Sequence, residues 1–70
     1  MCEEQVKIET PFIRLDALLK FAGAVETGGE AKLAIQDGEV TVNGQTCTMR
    51  GKKLYPGDRA AIDGQEFLVE

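Results

Sequence analysis

A chain of 70 residues is long enough for one domain and too short for two, so its core must be buried between two or three packed elements. Apolar residues make up 43% of it and charged ones 29%, a globular balance that excludes a disordered segment. The formal net charge of -4 excludes the indiscriminate nucleic-acid binding of a uniformly basic domain. No apolar stretch approaches the ~20 residues that cross a bilayer, and acids stand at the N-terminus where a secretory signal needs bases. A cytoplasmic protein without a membrane partner is expected.

Val6 and Ile8 alternate with Gln5, Lys7 and Glu9, which predicts a first strand with one face inward, ended by Thr10 and Pro11. Leu15, Leu18, Leu19 and Ala22 recur at three and four residues and line one face of a short helix that stops near Gly23. Phe12, Ile13 and Phe21 are expected to add to the core around it. Lys20 follows Asp16 by four residues, the spacing of a surface ion pair on a helix.

Thr27-Gly28-Gly29-Glu30 has the pattern of a capping box, in which Thr27 accepts from the third amide and Glu30 folds back to the backbone of Thr27. The second helix is predicted to run through Asp37 and end at Gly38. On a wheel of ~100° per residue, Ala31, Ala34 and Ile35 form the buried side, while Gly28, Gly29, Lys32 and Gln36 share a separate strip. Leu33 falls outside the apolar stripe.

After Gly38 the period changes to two. Val40 and Val42 point one way, Thr41 and Asn43 the other, and Asn43-Gly44 is a strong hairpin signal. Gln45 to Met49 reads as the return strand, with Cys47 and Met49 on an apolar face; Gly51 breaks it and Lys52 to Tyr55 is a further extended piece. Pro56-Gly57-Asp58 is a turn. Arg59 to Ile62, Asp63-Gly64 and Gln65 to Val69 make a closing hairpin whose Ile62, Phe67 and Val69 face the core. The expected architecture is α+β: two short helices packed on a small, bent, mainly antiparallel sheet. It forms one domain over residues 1–70, with its core in about 6–69.

Nothing in the chain has the makings of covalent or acid-base catalysis, so an enzyme with a small-molecule substrate is not expected, nor a cofactor. Histidine is absent, Cys47 lacks an activating base, and the acids are scattered. Two cysteines without histidine cannot hold structural zinc. A Cys2–Cys47 disulfide fits on count alone, but Cys47 reads better as a small buried hydrophobe. Thr27-Gly28-Gly29 is not followed by the Gly-Lys-Ser/Thr of a phosphate-binding loop.

The charge is unevenly spread. Residues 1–40 hold eight acids and four bases, whereas Val40 to Gly57 contains Arg50, Lys52 and Lys53 and no acid. Arg50-Gly51-Lys52-Lys53 fits a phosphate clamp, in which glycine admits a close approach and the cations displace counterions; it also fits a solvated turn. Gly28 and Gly29 would let a phosphate approach the amides at the start of the second helix, with Lys32 and Gln36 continuing the strip. Taken alone, this segment fits better a sharp start to a capped helix, with Lys32 a solvated residue. Asn43 either supplies positive φ to its turn or contacts a base or ribose. Tyr55 reads as isolated and the phenylalanines as core, so no aromatic platform for single-stranded bases is expected.

The order Ile13-Arg14-Leu15-Asp16, a short helix, a second helix rich in small residues, then Gly38-Glu39-Val40-Thr41-Val42-Asn43-Gly44 and Pro56-Gly57-Asp58 resembles the RNA-binding domain first described in small-subunit ribosomal protein four, also called the alpha-L motif. Thr27-Gly28-Gly29-Glu30-Ala31-Lys32 with Arg50-Gly51-Lys52-Lys53-Leu54 resembles its standalone bacterial version, the YbcJ and YaaA type of small protein. The likeness covers about residues 6–69. It implies a helix pair presenting basic and polar groups to structured RNA, with the hairpin flanking the groove. Carried over by position, Arg14 opens helix one, Gly28, Gly29, Lys32 and Gln36 face RNA from helix two, and Asn43, Arg50, Lys52 and Lys53 lie on the adjoining hairpin and loop. Many members carry additional arginine or lysine where this chain has Thr27 to Glu30.

The expected function is therefore a non-catalytic module that binds structured RNA, rRNA or tRNA-like, by phosphate and shape, with ribosomal particles as the setting. The alternative is a protein-protein adaptor whose acidic first half docks on a basic partner.

Overall fold

The computed structural model describes the backbone of residues 2–70; the side chain of Cys2 lies outside the described residues, and with it the Cys2–Cys47 disulfide. In chain order the elements are β1 (Cys2–Val6), β2 (Ile13–Arg14), α1 (Leu15–Phe21), α2 (Gly28–Gln36), β3 (Val40–Val42), β4 (Gln45–Thr46), β5 (Lys53–Leu54), β6 (Arg59–Ile62) and β7 (Gln65–Val69). Five strands form one sheet in the order β1-β7-β6-β3-β4, and β2 and β5 form a separate two-stranded ribbon. All pairings are antiparallel except β1 on β7. This is the expected α+β architecture.

Both helices end as their glycines dictate. After α2, Gly38 takes φ +78° while its amide donates to the Ile35 carbonyl (3.1 Å) and that of Glu39 to Ala34 (3.1 Å). After α1, Gly23 at φ +80° donates to Lys20 (3.1 Å) and Ala24 to Leu19 (2.9 Å). Two Schellman stops thus close the helices. At the start of α2 the Thr27 hydroxyl accepts from the Glu30 amide at 3.1 Å. The reciprocal bond from Glu30 does not form among the described residues, so only half of the capping box is present.

The core joins Leu15, Leu18 and Leu19 of α1 and Ala31, Ala34 and Ile35 of α2 to Val40, Leu54, Ala60, Phe67 and Val69 of the strands. Three expectations fail at its margin. Phe21 is 68% exposed, because it lies about 110° round α1 from the centre of the leucine stripe. The return strand stops at Thr46: the Cys47 amide still donates to Val40 (3.0 Å), leaving Cys47 half-buried, but the chain then turns and Met49 is exposed. The first strand lies earlier than the Val6/Ile8 alternation suggests, since its register is set by β7, with Val6 opposite Val69. Ile8 follows the strand and is half-buried, its amide donating to Glu70 (2.9 Å).

Asn43 and Gly44, at φ +52° and +84°, form the type I′ turn that the Asn-Gly pair demands. The side chain fastens this turn to the next one. Asn43 Oδ1 accepts from the Arg59 amide (3.0 Å) and Nδ2 donates to Asp58 Oδ1 (3.2 Å), while Asp58 Oδ2 accepts from the Tyr55 amide (2.8 Å). Asn43→Ala should therefore lower unfolding stability by about 2 kcal/mol, from two lost bonds and an alanine forced to positive φ. Asn43→Gly, which keeps the φ and loses only the bonds, should lose about half of that. Urea denaturation of the two variants checks this; equal losses would refute the conformational share.

Candidate nucleic-acid interface

The ribbon positions the site. Ile13 pairs with Leu54 and Arg14 with Lys53. Leu54 is fully buried and Ile13 packs against the core, so the alternation of strand side chains sends Arg14 and Lys53 outward, where both are exposed. One position further along the same register, Phe12 meets Tyr55 with ring centroids 5.9 Å apart, tilted at 49°. Lys53 Nζ lies diagonally over the Phe12 ring, 4.9 Å from its centroid, within cation–π range. The outer face of the ribbon thus carries an aromatic rung beside a cationic rung.

The basic loop is fixed to this ribbon by the start of α1. The residue that precedes the helix, Arg14, has no side-chain oxygen to cap it. Backbone carbonyls of the loop substitute: the Leu15 amide donates to the Lys52 carbonyl (2.8 Å) and the Asp16 amide to the Arg50 carbonyl (3.1 Å). The Ala17 amide is taken by Asp16 Oδ1 at 2.8 Å. A turn closed from the Lys52 amide to the Met49 carbonyl (3.1 Å) brings the chain into this position. Gly51 then lies against the Arg14 guanidinium: a Cβ there would sit 3.8 Å from Nη2. Arg14, Arg50, Gly51, Lys52 and Lys53 are therefore brought together.

Among the described residues, Arg50, Lys52 and Lys53 make no ion pair; Arg14 pairs with Asp16, Nη2 to Oδ2, at 3.3 Å. That contact corrects the expected Asp16–Lys20 pair. Asp16 reaches back across the first turn, where the guanidinium is held against the loop, and Lys20 is left exposed. Lys52 also lines a shallow depression with Asn43, Gln45, Cys47 and Met49. Asn43 is in this neighbourhood, but both heteroatoms of its amide already serve the turns.

Gly28, Gly29, Lys32 and Gln36 are all exposed along α2, and among the described residues no hydrogen bond or ion pair joins them to the loop. Neither glycine has a positive φ. A Cβ at Gly28 would meet nothing within 4 Å, and one at Gly29 only Thr27 Oγ1 at 4.0 Å. The fold does not require glycine at either position.

The aromatic expectation is overturned. Phe67 is core, but Phe12 is half-buried, Phe21 and Tyr55 are exposed, and Tyr55 is paired rather than isolated. Neither Phe12 nor Tyr55 stands out in the sequence as a site residue. The signal was the alternation of Phe12 with Arg14 and of Lys53 with Tyr55, which acquires meaning only once β2 is known to pair with β5.

A protein-family model described as "S4 domain" matches residues 6–70, which takes in both helices, the ribbon and four of the five strands of the sheet. The chain belongs to the S4 domain family. It is 41% identical over 59 residues to a Bacillus subtilis protein named "Probable ribosome maturation protein RlbA", covering 84% of this chain and 83% of that one. To the Escherichia coli protein named "Putative RNA-binding protein YbcJ" it is 36% identical over 59 residues, covering 84% of each. Among the described residues of this S4 domain, no helix is long and apolar enough to cross a membrane.

Because neither helix-start glycine is sterically required, Gly29→Ala should raise stability by about 0.5 kcal/mol through helix propensity. Thermal unfolding checks this, and a destabilised variant would reveal a constraint on the backbone there.

Proposed function

We propose that this S4 domain is a non-catalytic RNA-binding module that holds structured RNA, rRNA or a tRNA-like fold, by phosphate and shape contacts. One observation carries the reading. The backbone of the basic loop caps helix α1, so Arg50, Lys52 and Lys53 are fixed beside Arg14, exposed and in no ion pair among the described residues. A solvated turn would not need such anchoring, whereas phosphate neutralisation gains from cations already in place.

The names of the two relatives support the same direction, one a ribosome maturation protein and the other an RNA-binding protein. Ribosomal particles in the cytoplasm are the partner this reading favours. On α2, Gly28 and Gly29 leave the first-turn amides open to a phosphate, and the helix dipole attracts an anion there. Lys32 and Gln36 continue that contact along the exposed strip. Asn43 and Gly51 shape the backbone beside the cations.

The test is titration of a folded RNA hairpin at several salt concentrations. With three or four phosphates neutralised, log affinity should fall against log salt with a slope of about -3. Replacing Arg50, Lys52 and Lys53 together by glutamine should abolish binding while the melting temperature stays within a few degrees. Unchanged affinity in that variant would reject the reading. Gly29→Ala, stabilising for the fold, should weaken RNA binding. Material captured from cells should be released by ribonuclease; capture that survives the nuclease would instead favour a protein-protein adaptor.

A further inference from the structure

We propose that the aromatic rung of the β2–β5 ribbon is a stacking site for one unpaired nucleobase, so that the favoured RNA is a helix interrupted by a bulged or junction nucleotide. The inference rests on the RNA-binding reading above and deepens it by naming the ligand's class.

Four residues on and beside two short strands carry the argument. Tyr55 is 50% exposed, yet Phe12 packs against it at 5.9 Å and its own backbone is tied into the turn by the bond from its amide to Asp58. The ring is therefore held in place with part of its surface free. A base stacking on it would have little side-chain motion left to arrest.

The neighbouring charges indicate the partner's chemistry. The rung next to the aromatic pair is Arg14 opposite Lys53, both exposed, and the Lys53 ammonium leans over the Phe12 ring. An apolar side chain from a protein partner would gain nothing from two cations at that spacing. A nucleotide would: its base meets the ring while its phosphate meets the ammonium or guanidinium one rung away. Interleaving of aromatic and basic groups on one strand face is the pattern by which unpaired nucleotides are held. The flanking duplex then falls to the loop cations, which recognise phosphate alone.

Two synthetic hairpins test this, one fully paired and one identical except for a single bulged 2-aminopurine nucleotide. The wild-type protein should bind the bulged hairpin about tenfold more tightly and quench the 2-aminopurine fluorescence. Tyr55→Ala should bring the ratio of the two affinities to about one and abolish the quenching, while Tyr55→Phe should keep both. Lys53→Gln should weaken both RNAs, and the bulged one more. Equal affinity of the wild-type protein for the two hairpins, without quenching, would overturn the stacking site and leave the phosphate reading intact. So would a Tyr55→Ala variant that weakens both RNAs alike and keeps the ratio. Failure of the folded wild-type protein to bind either hairpin would remove the underlying reading together with the inference.

Discussion

The site depends on a helix that does not cap itself. Arg14 precedes α1 with extended backbone and no side-chain acceptor, so the amides of Leu15 and Asp16 would be left without partners. The carbonyls of Lys52 and Arg50 take them. Each bond is worth only about 1 kcal/mol net, but the alternative is an orphaned donor, which costs about 1–3 kcal/mol where water is excluded. The same contact that completes the helix therefore fixes where the loop side chains begin. A basic loop free to wander would dilute its cations over solvent; here the backbone is committed and only the side chains remain to search for phosphate.

For the acids of the far sheet edge, distance keeps the negative net charge from cancelling this arrangement, while the Asp58 carboxylate beside Tyr55 is engaged by the Tyr55 amide and by Asn43. Glu3 and Glu4 lie on β1, the edge strand of the sheet opposite β4, after which the basic loop follows in the chain. Four strand spacings separate β1 from β4, about 19 Å at the usual interval. The screening length at physiological salt is about 8 Å, so those acids are felt only weakly at the loop. Among the described residues, Asp16 is the acid paired with a site cation, and it holds Arg14 rather than removing it, since the guanidinium keeps further donors free. Net charge sets the behaviour of the molecule at long range, whereas the partner at contact meets the loop.

What could be read from the sequence, and what could not, divides by range. The Thr27 cap, the Gly23 and Gly38 helix stops and the Asn43-Gly44 turn were all legible, because each is decided by residues within a few positions of one another. The leucine stripe of α1 was equally plain. The exposure of Phe21 could also have been read, because its angle on the helix already placed it off that stripe. The parallel seat of β1 on β7 and the meeting of β2 with β5 join segments far apart in the chain, and no local pattern states them. The site was visible as charge for this reason: three bases without an acid can be seen in a string of letters. Its aromatic half was not, because Phe12 and Tyr55 become neighbours only through the register of two two-residue strands.

That register is better determined than the length of those strands suggests. Two residue pairs cannot hold a ribbon in water by themselves. Here the inward side is fixed by Leu54, fully buried, with Ile13 packed on the core beside it, and the strand leads directly into α1, whose Leu15 is also fully buried. A slip by one residue would expose Leu54 and drive Lys53 into the core, a cost far larger than any surface contact could repay. The core therefore sets the register, and the register sets the outer face. Stability and recognition are thus carried by alternate residues of the same strands, which is why the outward side chains can be exchanged to alter binding while the inward ones keep the fold.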